Sequence, residues 1–282
     1  MKALEQVLLK IQELPPFPLV VLKVLELIGK EAPFKEIAKV VEVDEGLTSE
    51  ILKIANSPFF GLKRKISSVQ EAVVYLGEKY LLEIVTRSAS KRYYQSTHEG
   101  YDLRRGELWR HSVACALASE VLNKKLNQKS DHVLFTASLL HDIGKIVLNS
   151  FVKETFDEII KKVKGGMTFV EAEREALGID HAEIGGHIAK RWNFPEEIID
   201  AIQYHHEPRK GGLYARKVHV CDVLCSSLGI GAGVDELYER FDSEVLKELG
   251  LSRRDVMMLL CEIQQLYEKT QSLFSMEMGD GV

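Results

Sequence analysis

An all-α fold, in which an N-terminal helical lobe packs on a second helical bundle, is predicted by three observations. Apolar residues recur at three- and four-residue spacing, as in the stretch from Gly106 to Leu122, so that one face of a helix is greasy. Such stretches are separated by proline, glycine and short polar caps that start and stop helices. The N-terminal half contains neither an alternating strand pattern nor a glycine-rich phosphate loop.

The elements follow in order. Met1 to Lys10 carries Lys2, Glu5 and Lys10 at amphipathic spacing, which is a helix pattern rather than a signal-peptide core, so export is not expected. Pro18 and Pro33 sit at first turns, where a missing N–H costs little. Asn56-Ser57-Pro58 breaks the helix before it, because a residue preceding proline leaves the helical region. Ser68 and Glu71 have capping-box spacing, and Ala72, Val73, Tyr75 and Leu76 supply an apolar face until Gly77 ends the run. Lys63, Arg64 and Lys65 form a basic run that reads as a solvated turn.

Gln95 to Gly100 is a polar connector, which divides the chain into a lobe over residues 1–95, a second over 101–240 and a helical extension over 241–282. In the second lobe the apolar stretch Val133 to Leu140 ends at His141, and Lys161 to Gly166 makes a turn. Asp180 is the expected N-cap of a helix over Ala182 to Trp192. Asn193-Phe194-Pro195-Glu196-Glu197 opens a helix expected to carry His205 and His206. Ser252 with Asp255 starts a last helix through about Tyr267, with a frayed tail from Ser272 to Val282.

Composition narrows the classes. A chain of 282 residues buries about three quarters of its unfolded surface, enough for a sizeable core. No apolar stretch approaches the roughly 20 residues that cross a bilayer, so no membrane partner is expected. A formal charge of −5 argues against the broad basic footprint of sequence-independent nucleic-acid binding, so none is expected there either. Cys115, Cys221, Cys225 and Cys261 are sparse and lie among apolar helical residues, which reads as reduced core thiols in a cytoplasmic protein. Cys221 and Cys225 flank Asp222 closely enough to be soft ligands, but structural zinc spacing is absent.

The chemistry lies between residues 107 and 222. Glu107, His111, His141, Asp142, His181, His205, His206 and Asp222 are imidazoles and carboxylates, the donors that hold borderline divalent metals. Such ions polarise phosphoryl oxygens and turn water into a nucleophile near neutral pH. Glu107 and His111 are four apart and share a helix face. Asp222 sits within the apolar run Val218 to Leu224, where an unpaired carboxylate is costly to bury. Gly144 lets backbone approach closely, and Lys145 offers a cation to a bound anion. For His98, His132, His187 and His219 the plainer reading, a surface or hydrogen-bonded core histidine, stands.

The order His111, His141-Asp142, Asp222 resembles the HD superfamily, in which these residues bind metal and many members hydrolyse phosphoesters. Glu107, His181, His205 and His206 resemble the extended ligand set of the HD-GYP phosphodiesterases, and Lys145 matches their phosphate-contacting lysine in His-Asp-x-Gly-Lys. The chain departs after Tyr204-His205-His206-Glu207: where an HD-GYP protein continues toward Asp-Gly-x-Gly-Tyr-Pro, it reads Pro208-Arg209-Lys210-Gly211-Gly212-Leu213-Tyr214. In the N-terminal half, Leu14-Pro15-Pro16-Phe17-Pro18, the run from Leu47 through Asn56-Ser57-Pro58 to Gly61, and Ile66-Ser67-Ser68 followed by Leu76-Gly77 resemble the HDOD family. These are HD-related output domains of bacterial signalling and regulatory proteins. The likeness covers roughly residues 14 to 230, and departs at Val43-Asp44-Glu45-Gly46-Leu47, where the family has Asp-Pro before the leucine.

The resemblance implies an HD-type bundle with one or two divalent ions, iron or manganese before zinc, and Asp142 as the natural bridge. Two functions stay open: a regulatory protein that meets a signalling partner through its N-terminal lobe, or an active phosphohydrolase acting on a nucleotide or other small phosphoester, with Asp142 and Lys145 as catalytic residues. A purely structural helical domain would require the ligands to be coincidental.

Overall fold

The structure, a computed structural model, describes residues 2–278 other than 16, 58–59, 61–63, 95, 130, 232 and 236–240. Pro58, Gly61, Lys63, Gln95 and the last four residues of the tail lie outside the described residues. Among the described residues the chain is helical throughout, without strands: α1 Lys2–Glu13, α2 Leu19–Gly29, α3 Phe34–Val41, α4 Glu45–Ala55, α5 Val69–Tyr94, α6 Glu107–Lys125, α7 His132–Leu140, α8 Gly144–Lys164, α9 Phe169–Leu177, α10 His181–Arg191, α11 Glu196–Gln203, α12 Leu213–Ser227, α13 Ser243–Glu248 and α14 Arg253–Met278. The last helix therefore runs past Tyr267.

Two compact units result, Pro15–Arg92 and a larger one made of Met1–Leu14 with Tyr93–Val282. The smaller unit holds α2 to α4 and most of α5. Pro18 and Pro33 stand directly before α2 and α3, one position ahead of the expected first turn. Ile37, Ala38 and Val41 form the buried stripe of α3, beside Val21, Val24 and Ile28 of α2. Asp44 caps α4 by accepting from Leu47 N at 2.9 Å. Asn56 then closes the α4 end: its amide donates to the Leu52 and Ile66 carbonyls at 2.8 Å, and its oxygen accepts from Ile66 N at 2.7 Å. Ser68 accepts from Glu71 N at 3.2 Å, and Gly77, at φ 75°, interrupts α5 as its lack of a Cβ permits.

In the larger unit α6 is buried along most of its length and packs against α7, α12 and α14. Its core joins Ala114, Cys115, Ala118 and Leu122 to Val220, Cys221 and Leu224 of α12 and to Leu259 and Ile263 of α14. The residues beyond 240 thus share one core with α6 rather than forming an appendage. The first helix belongs here too: Lys10 Nζ meets Ser150 Oγ at 2.9 Å, and Arg191 donates to the Gln12 and Leu14 carbonyls at 2.8 Å. Asp131 caps α7 through Val133 N and Leu134 N, and Asp180 caps α10 through Glu183 N at 2.8 Å. One expectation is corrected: α11 ends at Gln203, so His205 and His206 lie in the turn beyond it and not on the helix.

Candidate metal centre

Glycine brings the first ligands together. A Cβ at Gly144 would overlap the His181 carbonyl oxygen and stand 2.8 Å from Gly185 N, so only glycine lets the start of α8 touch the start of α10. That contact sets His141 and Asp142, just ahead of α8, beside His181, the first residue of α10. Gly231, at φ +63°, likewise lies where a Cβ would meet the Glu107 carbonyl, and it lays the loop after α12 against the start of α6.

Four imidazoles converge there from four elements. In each, Nδ1 faces an oxygen: Ile230 O for His111 at 3.2 Å, Ser138 O for His141 at 2.8 Å, Ile202 O for His205 at 2.7 Å and Glu173 Oε2 for His181 at 2.8 Å. Carbonyl and carboxylate oxygens accept, so Nδ1 carries the proton and donates, which leaves Nε2 as the coordinating nitrogen of all four rings.

The ligand atoms fall into two groups. Those of His111, Cys115, His141 and Asp222 lie within 4.8 Å of one another, and so do those of Asp142, His181, His205 and His206. Asp142 faces both. Its Oδ2 is 3.5 Å from His141 Nε2 and 3.9 Å from His111 Nε2, while its Oδ1 is 3.5 Å from His181 Nε2 and 3.9 Å from His205 Nε2. Asp222 Oδ1 lies 3.0 Å from His111 Nε2 and 3.5 Å from His141 Nε2.

Whether these donors suit a metal is tested by two orphaned atoms. His141 Nε2 and His205 Nε2 are buried without a hydrogen-bond partner. An unsatisfied buried polar atom costs about 1–3 kcal/mol, and here both belong to rings whose other nitrogen is fixed. A divalent ion in each group would satisfy them, and imidazole with carboxylate is a donor set for such ions. The residues fit.

The electrostatics agree. Burial alone would raise the Asp142 carboxyl, but His141, Lys145, His181 and His111 around it hold it well below the usual carboxylate range. Burial, then the neighbouring His141, pushes His205 down to about 3, and burial with His205 and His181 lowers His206. His181 goes the other way: burial opposes its charge, yet Glu173 raises it to about 9. Its Nε2 lies 2.8 Å from His206 Nε2, so in the metal-free site a proton sits between two nitrogens that an ion would take.

Of the residues singled out in the sequence, His111, His141, Asp142, His181, His205, His206 and Asp222 come together, and Glu107 does not join either group. Its carboxylate reaches back to accept from Arg104 N at 2.6 Å, in front of α6. Lys145 is adjacent and buried, its Nζ 2.7 Å from Asp142 Oδ2 and 2.6 Å from Asp235 Oδ2. His219 is structural: Nδ1 donates to His205 O at 2.9 Å, and Nε2 accepts from Asp242 N at 3.1 Å. Three residues at the site were not singled out as candidates. Cys115 had a signal, four residues after His111 on one helix face. Glu173 and Asp235 had none, since only the fold buries them beside His181 and Lys145.

A cavity of about 490 Å³ opens onto the second group, lined among others by Arg174, His181, His206, Glu207 and Asp235. Arg174 pairs there with Asp180 at 2.6 Å and Glu207 at 2.7 Å.

Known proteins resemble this chain in sequence and fold. The chain is 28% identical over 212 residues, 70% of its length, to an uncharacterised protein of Treponema pallidum. It is 31% identical over 145 residues, 51% of its length, to ribonuclease Y of Thermus thermophilus. It spans 38% and 20% of these relatives' own lengths. The crystal structure of an HDOD domain protein of unknown function from Geobacter sulfurreducens superposes with a TM-score of 0.74 at 26% identity, over 96% of both chains. A family model for the HDOD domain matches residues 14–208, well over half of the chain, and by that match the chain belongs to the HDOD domain family.

Proposed function

We propose that this chain is a regulatory HDOD protein whose larger unit holds two divalent ions, iron or manganese, bridged by Asp142. The observation that carries the reading is the set of four imidazoles, each tied at Nδ1 and turned with Nε2 toward one of two ligand groups, with Asp142 in the second and facing the first as well. His111, His141 and Asp222 would hold one ion, and His181, His205 and His206 the other. When bound, such ions supply Lewis acidity toward phosphoryl oxygens. The chain's own residues orient the ligands, exclude water around them and keep Lys145 at hand as a cation for a phosphoryl oxygen. Partner binding falls to the smaller unit, which has no ligand group among its described residues and exposes Leu19, Val43 and Val74.

A second reading, hydrolysis of a phosphodiester at the same centre, is favoured by the cavity that reaches His181 and His206, and by the similarity to ribonuclease Y. The deciding measurement is metal per chain by elemental analysis, on protein purified without chelators, beside His141→Ala and Asp142→Ala. About two ions, lost in the variants, are expected. Folded wild-type protein that stays metal-free on loading refutes the reading. Phosphate-ester cleavage by the loaded protein that Asp142→Ala abolishes establishes the second reading over the first.

A further inference from the structure

Cys115 is the one member of the two groups that the HD pattern does not supply. It stands on α6 one turn after His111, fully buried, with its Sγ 3.4 Å from His111 Nε2. The other side of the same pocket is formed by Asp222 Oδ1, 3.0 Å from His111 Nε2, and by His141 Nε2, the buried nitrogen that lacks a hydrogen-bond partner. All four ligand atoms lie within 4.8 Å of one another.

Three of these separations have the size found between neighbouring ligand atoms of one ion. An ion about 2.0 Å from nitrogen or oxygen and about 2.3 Å from sulfur sets its ligand atoms roughly 3.3–3.6 Å apart. The sulfur–nitrogen edge of 3.4 Å and the His141–Asp222 edge of 3.5 Å match that, and the His111–Asp222 edge of 3.0 Å is slightly shorter. A thiol used only for packing has no need to share a pocket with three such donors; Cys221, six residues before Ser227 on α12, sits in the same apolar core without joining them.

We propose that Cys115 is a further protein ligand of the first metal pocket, beside His111, His141, Asp222 and the shared Asp142, making it a mixed nitrogen, oxygen and sulfur site. The two pockets then differ in kind. The second, with three imidazoles and Asp142, has no sulfur donor, whereas a thiolate in the first favours thiophilic ions, iron(II), cobalt(II) or zinc, over manganese or magnesium. Binding is balanced by loss of the thiol proton to solvent, so that the thiolate's negative charge partly offsets the ion's. The inference rests on the metal-binding reading above.

The test is an anaerobic cobalt(II) titration of the full chain stripped of metal, read by bound cobalt and by absorption. The expected result is a thiolate-to-cobalt charge-transfer band in the near ultraviolet, saturating with the first pocket. Cys115→Ser should remove the band and leave cobalt in the second pocket. Cys225→Ser and Cys261→Ser, which change a neighbouring buried thiol and the exposed one, should retain it. Circular dichroism verifies that each variant is folded. Cobalt bound by the wild type without the band, or a band that survives in folded Cys115→Ser, overturns the inference and leaves the metal reading standing. Folded protein that binds no cobalt overturns both.

Discussion

Replacing Glu173 by glutamine asks how much the orientation of His181 depends on charge. The Glu173 side chain is fully buried; Oε2 accepts from His181 Nδ1 at 2.8 Å and from His181 N at 3.1 Å, and Oε1 accepts from the Tyr101 hydroxyl at 2.7 Å. Burial alone would lower the His181 imidazolium, but Glu173 and then Asp142 carry it from 6.5 to about 9 against the repulsion of Lys145. At 1.36 kcal/mol per unit that rise corresponds to about 3 kcal/mol, and breaking a buried ion pair by removing one partner costs about 3–5 kcal/mol. The folded state holds the His181 proton more tightly than the unfolded one. Its stabilisation is therefore complete below about pH 6.5 and is lost as the pH rises through about 9. Urea unfolding of metal-free wild type and Glu173→Gln should differ by about 3 kcal/mol near pH 6. Near pH 10 the difference should shrink to the roughly 1 kcal/mol of neutral hydrogen bonds. An equal difference at both pH values would refute a charged pair.

Other perturbations separate the parts of the molecule. Gly144→Ala forces a methyl into the His181 carbonyl oxygen, and should destabilise the protein by about 1–3 kcal/mol and lower bound metal, measured by thermal unfolding and elemental analysis. His206→Ala should cost the second pocket its ion while the pocket of His111, Cys115, His141 and Asp222 keeps one, so metal per chain falls from about two to about one. Asn56→Ala removes three hydrogen bonds at the end of α4 and should cost about 1–3 kcal/mol in chemical unfolding, with metal content unchanged.

How much was legible in the sequence depended on whether local chemistry or tertiary packing decided a residue's place. Asp180, Ser68 with Glu71, and Ser252 with Asp255 act within one turn of backbone, and each caps as its spacing predicts. Seven of the residues that the fold brings together were legible as candidate ligands because few other uses account for so many imidazoles and acids within apolar segments. Glu107 shows the limit. Helical spacing from His111 places it on the right face, but an acid in a first turn has its own unpaired amide to serve, and Arg104 N takes it. His205 and His206 were placed on a helix because acids and a proline open one there. Where α11 stops depends on the turn that follows, whose Tyr204 N still bonds to Asp200 O. Glu173 is indistinguishable in sequence from the exposed acids of an amphipathic helix, and only the fold, which sets it against Tyr101 and His181, buries it.

The same packing argues that the centre is built for cations. Asp142, Asp222, Glu173 and Asp235 are all buried within or against it, while Lys145 and the raised imidazolium of His181 are the cations placed beside them. Four buried acids leave a negative charge to be offset by the imidazoles around them or by a bound ion, in a region where an unpaired charge is expensive to keep. Lys145 does not remove it, because its amine is already divided between Asp142 and Asp235. That division also bears on the two functional readings. A phosphoryl oxygen at Lys145 would compete with these two carboxylates for its charge, and Asp142 is the less free of the two, since both of its oxygens face ligand groups. Asp235 lines the cavity, and its Oδ1 has no hydrogen-bond partner. Of the two carboxylates, Asp235 is therefore the one better placed to yield Lys145 to an anion entering the cavity.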